Sequence, residues 1–260
     1  MTGGTNMSRQ KKLVIRARGI AESMAKNMLS AVTDPLDKDH FDILELVWSA
    51  SYGPVPTRHG ESFGVAVTHA EKALLDLIRD SPYPVILIGF SGGAEVVGNV
   101  ARRIARGQFS QLTNKVLLVG LLADPSRAAG QIVGPDRGGF GITGERFIDT
   151  RYFPVLQYSA PGDPISELPA GNLLRPFADI SEFFSLDDPE AWIADLRRKA
   201  VLKQFQNVFR PELRRDWAGA AAWARGYLFD GRHTCYNREI LPGTGLTYTE
   251  HLAKQIGQIW

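Results

Sequence analysis

The chain has 260 residues, 44% of them apolar and 22% charged, which is enough apolar material for a real core and excludes wholesale disorder. A formal net charge of +2 argues against a dedicated nucleic-acid binder, which carries a larger basic excess. The single cysteine, Cys235, excludes an internal disulfide and is compatible with synthesis in a reducing compartment.

Met1 to Lys12 is polar and lacks the apolar run of a signal peptide. A flexible tail over residues 1–12 is expected, in a protein made in the cytoplasm without a leader. The first apolar run, Leu13-Val14-Ile15, is broken by Arg16 and Arg18, and no stretch approaches the ~18 apolar residues of a membrane helix. Residues 13–17 read as a strand ending at the Arg18-Gly19 turn, and Ile43 to Val47 as a second strand. Ala21 to Val32 between them has helical composition. From Glu61 to Arg79, Phe63, Val67, Ala70, Leu74 and Ile78 share one helical face, and Pro82 and Pro84 end that helix. Val85-Ile86-Leu87-Ile88 is a run of the kind found in buried parallel strands. A tight turn and a helix over Ala94 to Arg106 follow, then strands at Val116–Val119 and Val155–Tyr158. This alternation predicts an α/β fold with a parallel sheet covered by helices on both faces and sites at the carboxyl ends of its strands. Pro189 and Pro211 open two further helical patterns without an intervening strand, so residues 166–230 read as a helical insertion.

Gly89-Phe90-Ser91-Gly92-Gly93 matches G-x-S-x-G between a buried strand and a helix, the setting of a nucleophile elbow. Small neighbours let strand and helix pass closely. The helix start directs N–H groups and a positive dipole end at the serine, where the Gly92 N–H can bind an oxyanion. A serine hydroxyl needs a base and an acid that orients the base, and in this fold the chain order is Ser, acid, His. Asp163 follows a strand in a loop, whereas Asp124-Pro125 reads as a turn former. His233 lies in a loop-like stretch and His251 in a terminal helix, which favours His233 as base; His40, His59 and His69 precede the serine and read as surface or packing residues. The second oxyanion donor is expected from Arg18-Gly19-Ile20-Ala21, at the N–H of Ile20 or Ala21.

Several of these pieces resemble the Lysin B proteins of phages that infect mycobacteria and related actinobacteria, which are relatives of cutinases within the α/β-hydrolase superfamily. They are Arg18-Gly19-Ile20, Ile88 to Gly93 with Val96-Val97-Gly98, Ala123 to Arg127, Gly162-Asp163 and His233-Thr234-Cys235-Tyr236-Asn237. The likeness spans Lys12 to about Ile256. It implies Ser91, Asp163 and His233 as the catalytic residues and a helical insertion between acid and base; Gly92 and Ile20 are the expected oxyanion donors. It also implies hydrolysis of the ester between mycolic acids and arabinogalactan at the host cell envelope, during phage lysis. The chain departs from the family pattern at two places: Gly92 stands where Gln is usual, and Ile20 lies in a loop that often reads His-Gly-Thr-Gly. On this reading residues 13–165 and 231–260 form a catalytic core and 166–230 a lid-like insertion. The expected partner is a lipid ester substrate, with no nucleic acid, no transmembrane segment, no cofactor and no metal, and a monomer as the default.

Gly139-Phe140-Gly141-Ile142-Thr143-Gly144 fits G-x-G-x-x-G, but it follows a Gly/Pro loop rather than a strand, so a flexible loop near the site is expected instead of a dinucleotide fold. Arg197, Arg198, Lys199, Lys203, Arg210, Arg214 and Arg215 make the insertion basic, read as a solvated helical face. Trp192, Trp217 and Trp223 read as core, with an acyl groove as the sharper alternative.

Overall fold

A computed structural model of the chain describes residues 11–259 except 54, 173 and 176–230. Five strands, β1 (Lys12–Ala17), β2 (Phe41–Glu45), β3 (Val85–Phe90), β4 (Val116–Leu122) and β5 (Val155–Tyr158), form one sheet in the order β2-β1-β3-β4-β5. Every pairing is parallel. The helices around it are α1 (Ser30–Thr33), α2 (Phe63–Asp80), α3 (Gly92–Ala105) and α4 (Tyr248–Gly257).

Both faces of the sheet are covered, and the strand sequences show how. Val85 and Leu87 of β3 pack with α2 and α3, while Ile86, Ile88 and Phe90 pack with α1 and α4, which is the two-residue period of an extended strand. Each fully buried aliphatic side chain of this kind contributes about 1.5–3 kcal/mol. Gly120 lets α4 approach the sheet, since a Cβ there would lie 2.7 Å from Leu252 Cδ1. Thr247 and Glu250 form a reciprocal capping box at the start of α4.

Two expected elements differ. The helix expected over Ala21 to Val32 is reduced to the single turn of α1. Ala21 has φ +60°, and the Glu22 carboxylate accepts from the N–H of Gly19 at 2.7 Å and of Met28 at 2.9 Å. Those bonds wrap the chain into a loop and compete with helix formation. β2 begins at Phe41 rather than Ile43 because its register with β1 starts at the Lys12–Phe41 pair, which leaves Val47 exposed beyond the strand.

Most of the segment expected as an insertion, with its tryptophans and basic residues, lies outside the described residues. So does nearly all of the expected N-terminal tail. Among the described residues, Ser166 and Leu168 are buried against the core. No described helix is long and apolar enough to cross a membrane. The strand order reverses between β1 and β3, and open parallel sheets leave a crevice beyond the carboxyl ends of the strands at such a point. The loop after β1 and the turn after β3 both open there.

Candidate active site

Ser91 links β3 to α3 with φ 53° and ψ −120°, a conformation that costs about 1–3 kcal/mol for a residue with a side chain. The glycines around it make the turn possible. A Cβ at Gly93 would lie 1.9 Å from the Ala17 carbonyl oxygen, and one at Gly89 would lie 2.5 Å from the Gly93 oxygen. The Ser91 N–H donates to the Leu122 oxygen at 2.9 Å, which ties the elbow to the end of β4.

The serine, histidine and aspartate expected from the sequence come together. His233 Nε2 lies 2.8 Å from Ser91 Oγ. On the other side of the ring, Nδ1 lies 3.1 Å from Oδ1 and 3.2 Å from Oδ2 of Asp163. A carboxylate only accepts, so Nδ1 carries the ring proton and Nε2 is free to accept from the serine hydroxyl. His233 sits on a short 3₁₀ turn, Arg232–Thr234, entered through Gly231 in the left-handed region at φ 60°. Arg232 Nε donates to the Pro161 oxygen at 2.9 Å and so joins the histidine loop to the aspartate loop. The Phe90 ring stacks on the imidazole, with centroids 5.3 Å apart.

Asp163 is fully buried. Burial pushes its carboxyl up, but His233, the Tyr236 hydroxyl and the Ile165 N–H outweigh that and hold it below the ordinary carboxylate range. Tyr236 Oη donates to Oδ2 at 2.5 Å, Ser166 Oγ donates to Oδ2 at 3.1 Å, and the Ile165 N–H donates to Oδ1 at 2.9 Å. The phenol in turn accepts from the Ala160 N–H at 3.1 Å. Burial and the neighbouring Asp163 charge push the Tyr236 phenol well up, so it stays a donor. Sequence reasoning missed Tyr236, Ser166 and Phe90. Tyr236 carried a signal, its place three residues after His233, whereas Ser166 and Phe90 carried none.

Of the two candidate donors in the loop after β1, the Ala21 N–H is already bonded to the Ala50 oxygen at 3.0 Å. The Gly19 N–H is held by Glu22, which leaves Ile20. The Gly92 N–H belongs to the first turn of α3 and has no acceptor within the helix. Ile20 and Gly92 are adjacent: a Cβ at Gly92 would lie 2.8 Å from Ile20 Cδ1.

The other candidates have separate partners. Asp124 opens a turn, accepting from the Ser126 N–H at 3.0 Å, and is paired with Arg146 at 2.7 Å. His251 Nδ1 lies 2.9 Å from Tyr158 Oη, His40 pairs with Asp37, and His69 with Glu61. Cys235 is buried, its thiol pushed up to about 12 by burial. The 139–144 segment is braced rather than loose. The Phe140 N–H donates to the Leu168 oxygen and that of Ile142 to the Ile165 oxygen, and a Cβ at Gly141 would lie 2.0 Å from the Pro125 oxygen. Its glycines serve close backbone approach. Among the described residues no cluster of three or more His, Cys, Asp or Glu side chains is arranged to hold a metal ion.

No family model matches the chain, and no curated protein matches its sequence. Solved structures do match. Lysin B from Mycobacteriophage D29 superposes with a TM-score of 0.59 at 17% identity, covering 96% of this chain and 100% of its own. An acetylxylan esterase superposes with a TM-score of 0.50 at 19% identity, covering 74% of this chain and 99% of its own. The catalytic core domain of acetyl xylan esterase from Trichoderma reesei gives a TM-score of 0.50 at 15% identity, covering 73% and 98%. At these identities the likeness is one of fold: the chain shares with these proteins an α/β fold built on a parallel sheet covered by helices on both faces.

Proposed function

We propose that the chain is a serine carboxylic-ester hydrolase with Ser91 as nucleophile, His233 as general base and acid, and Asp163 as the group that orients the base. The observation that carries this reading is the pair of contacts made by one imidazole, 2.8 Å to Ser91 Oγ and 3.1 Å to Asp163. His233 Nε2 takes the hydroxyl proton as Ser91 Oγ bonds to the ester carbonyl carbon. The N–H groups of Gly92 and Ile20 receive the negative charge on the carbonyl oxygen. The tetrahedral species collapses, its C–O bond to the alcohol breaks, and the imidazolium returns the proton to the leaving alkoxide. A water molecule, deprotonated by the same nitrogen, then attacks the acyl-enzyme and releases the acid and Ser91. Asp163 stabilises the imidazolium in both halves of the cycle.

The finer reading is that the substrate is the mycolyl ester of arabinogalactan, cleaved at the host envelope during phage lysis. It is supported by the motif resemblance and by a fold likeness that runs the full length of lysin B from Mycobacteriophage D29. A general cutinase-like esterase is the second reading. It is favoured by Gly92 and Ile20, which give the chain an apolar rather than polar surface beside the oxyanion position.

A fluorophosphonate probe tests the chemistry. It should label the wild type at Ser91 and leave Ser91→Ala unlabelled; failure to label the wild type refutes the esterase reading. Turnover of mycolyl-arabinogalactan against simple p-nitrophenyl esters then separates the two substrate readings.

A further inference from the structure

We propose that Arg146, whose side-chain partners are Ala94, Glu95, Asn99 and Asp124, is a positioning residue for Ser91: it locks the first turns of α3 to the end of β4. The inference rests on the esterase reading above.

The Arg146 side chain is 2% exposed, and its contacts converge on the helix that starts at the serine. It donates to the Ala94 oxygen at 3.3 Å, the Glu95 oxygen at 3.2 Å and Asn99 Oδ1 at 2.8 Å, and it pairs with the Glu95 carboxylate at 3.0 Å. Its remaining contact, at 2.7 Å, is Asp124 just beyond β4, the strand whose Leu122 oxygen receives the Ser91 N–H. Gly98 admits the guanidinium to the helix surface, since a Cβ there would lie 2.0 Å from Arg146 Nη2.

A segment bridged to Arg146 reaches the acid loop. Arg127 and Arg146 form a parallel bridge. Arg127, fully buried, donates from Nε to the Ser166 oxygen at 2.8 Å, and Ser166 Oγ donates to Asp163 Oδ2. Two bridged segments therefore brace the nucleophile helix and the acid loop, Arg146 the first and Arg127 the second.

Stability alone does not account for this cluster. Buried ion pairs are weak sources of stability, and well-packed apolar replacements often match or exceed them. Here Arg146 Nε, Asp124 Oδ2 and Glu95 Oε2 lack hydrogen-bond partners among the described residues. What the cluster does provide is direction. A strained elbow such as Ser91 persists only where its surroundings over-determine it, and a misplacement of about 1 Å can cost about a hundredfold in rate.

The test compares wild type, Arg146→Met and Arg146→Lys for kcat and KM on a p-nitrophenyl ester, the rate of fluorophosphonate labelling at Ser91, and thermal midpoint. Arg146→Met, read well below its own melting temperature, should lose about tenfold to a hundredfold in kcat and in labelling rate, with KM within about twofold. Arg146→Lys should recover part of that loss. A purely structural role predicts wild-type kcat at any temperature where the variant is folded, and that result overturns the proposal. Should Arg146→Met not fold, Arg146→Lys decides: lowered kcat at constant KM supports the proposal, and wild-type kcat overturns it. An unlabelled wild type would instead remove the esterase reading itself.

Discussion

Replacing Tyr236 by Phe isolates what the hydroxyl behind Asp163 contributes. The ring stays, with its edge contacts to Phe90 and Tyr248; only the oxygen is lost. That oxygen donates to the Asp163 carboxylate at 2.5 Å and accepts from the buried Ala160 N–H at 3.1 Å. A hydrogen bond to a charged group contributes about 1.5–3 kcal/mol, and a buried donor left without an acceptor costs about 1–3 kcal/mol. Ser166 Oγ, 3.1 Å from the same carboxylate oxygen, offsets part of the first loss. The net destabilisation should be about 3 kcal/mol, which in a chain of this size lowers the melting temperature by about 6–12 °C. Activity should fall as well, by about tenfold in kcat below that temperature, because the carboxylate that orients His233 loses a fixed partner. Thermal unfolding and steady-state ester hydrolysis on the two proteins measure both effects. A variant with wild-type melting temperature and wild-type kcat would refute the claim that this hydroxyl holds the acid in place.

Gly93→Ala places a methyl group 1.9 Å from a backbone oxygen of β1, which cannot swing aside as a side chain would. A loss of at least about 3 kcal/mol in denaturant unfolding is expected, and a loss under 1 kcal/mol by about the same measure would contradict the close approach. His233→Ala should abolish turnover while His251→Ala, whose ring is bonded to Tyr158, retains it; the reverse outcome in an ester assay reassigns the base. The Asp163 carboxyl is held below the ordinary carboxylate range: burial pushes it up and is outweighed by His233 and Tyr236. A carboxyl depressed on folding contributes its stability in full above the unfolded value and loses it as pH falls through the folded one. Wild type should therefore lose more stability than Asp163→Asn from about pH 5 downward, and parallel acid-unfolding curves would count against this.

The sheet was legible because each of its central strands is a run that only a doubly covered parallel sheet can bury, and the helices between them keep a 3.6-residue period. Ser91 was legible for a steric reason: Gly89 and Gly93 around it are glycines whose Cβ atoms would strike helix or strand backbone. The Ala21–Val32 segment was misread because its composition favours a helix, while a single carboxylate, Glu22, captures two backbone N–H groups and turns the chain instead. Nothing in a local window shows that competition. Arg146 was equally hidden, since its partners lie up to 52 positions away. The bracing of the glycine pattern at 139–144 on residues 165–168 was not legible, because it depends on long-range contacts.

The two departures from the Lysin B pattern are halves of one arrangement. A Cβ at position 92 would lie 2.8 Å from Ile20 Cδ1, so a side chain there requires the end of the Ile20 side chain to move. Phe63 lies against the same spot, 3.3 Å from where that Cβ would be, and stacks on Tyr52. Apolar side chains thus border position 92, where the resemblance would place polar ones. Glu22 fixes the loop that holds Ile20, and the start of α3 fixes Gly92. An oxyanion hole works through the placement of N–H groups rather than through the side chains beside them, so on the esterase reading this apolar border bears on which substrates fit rather than on the donors themselves.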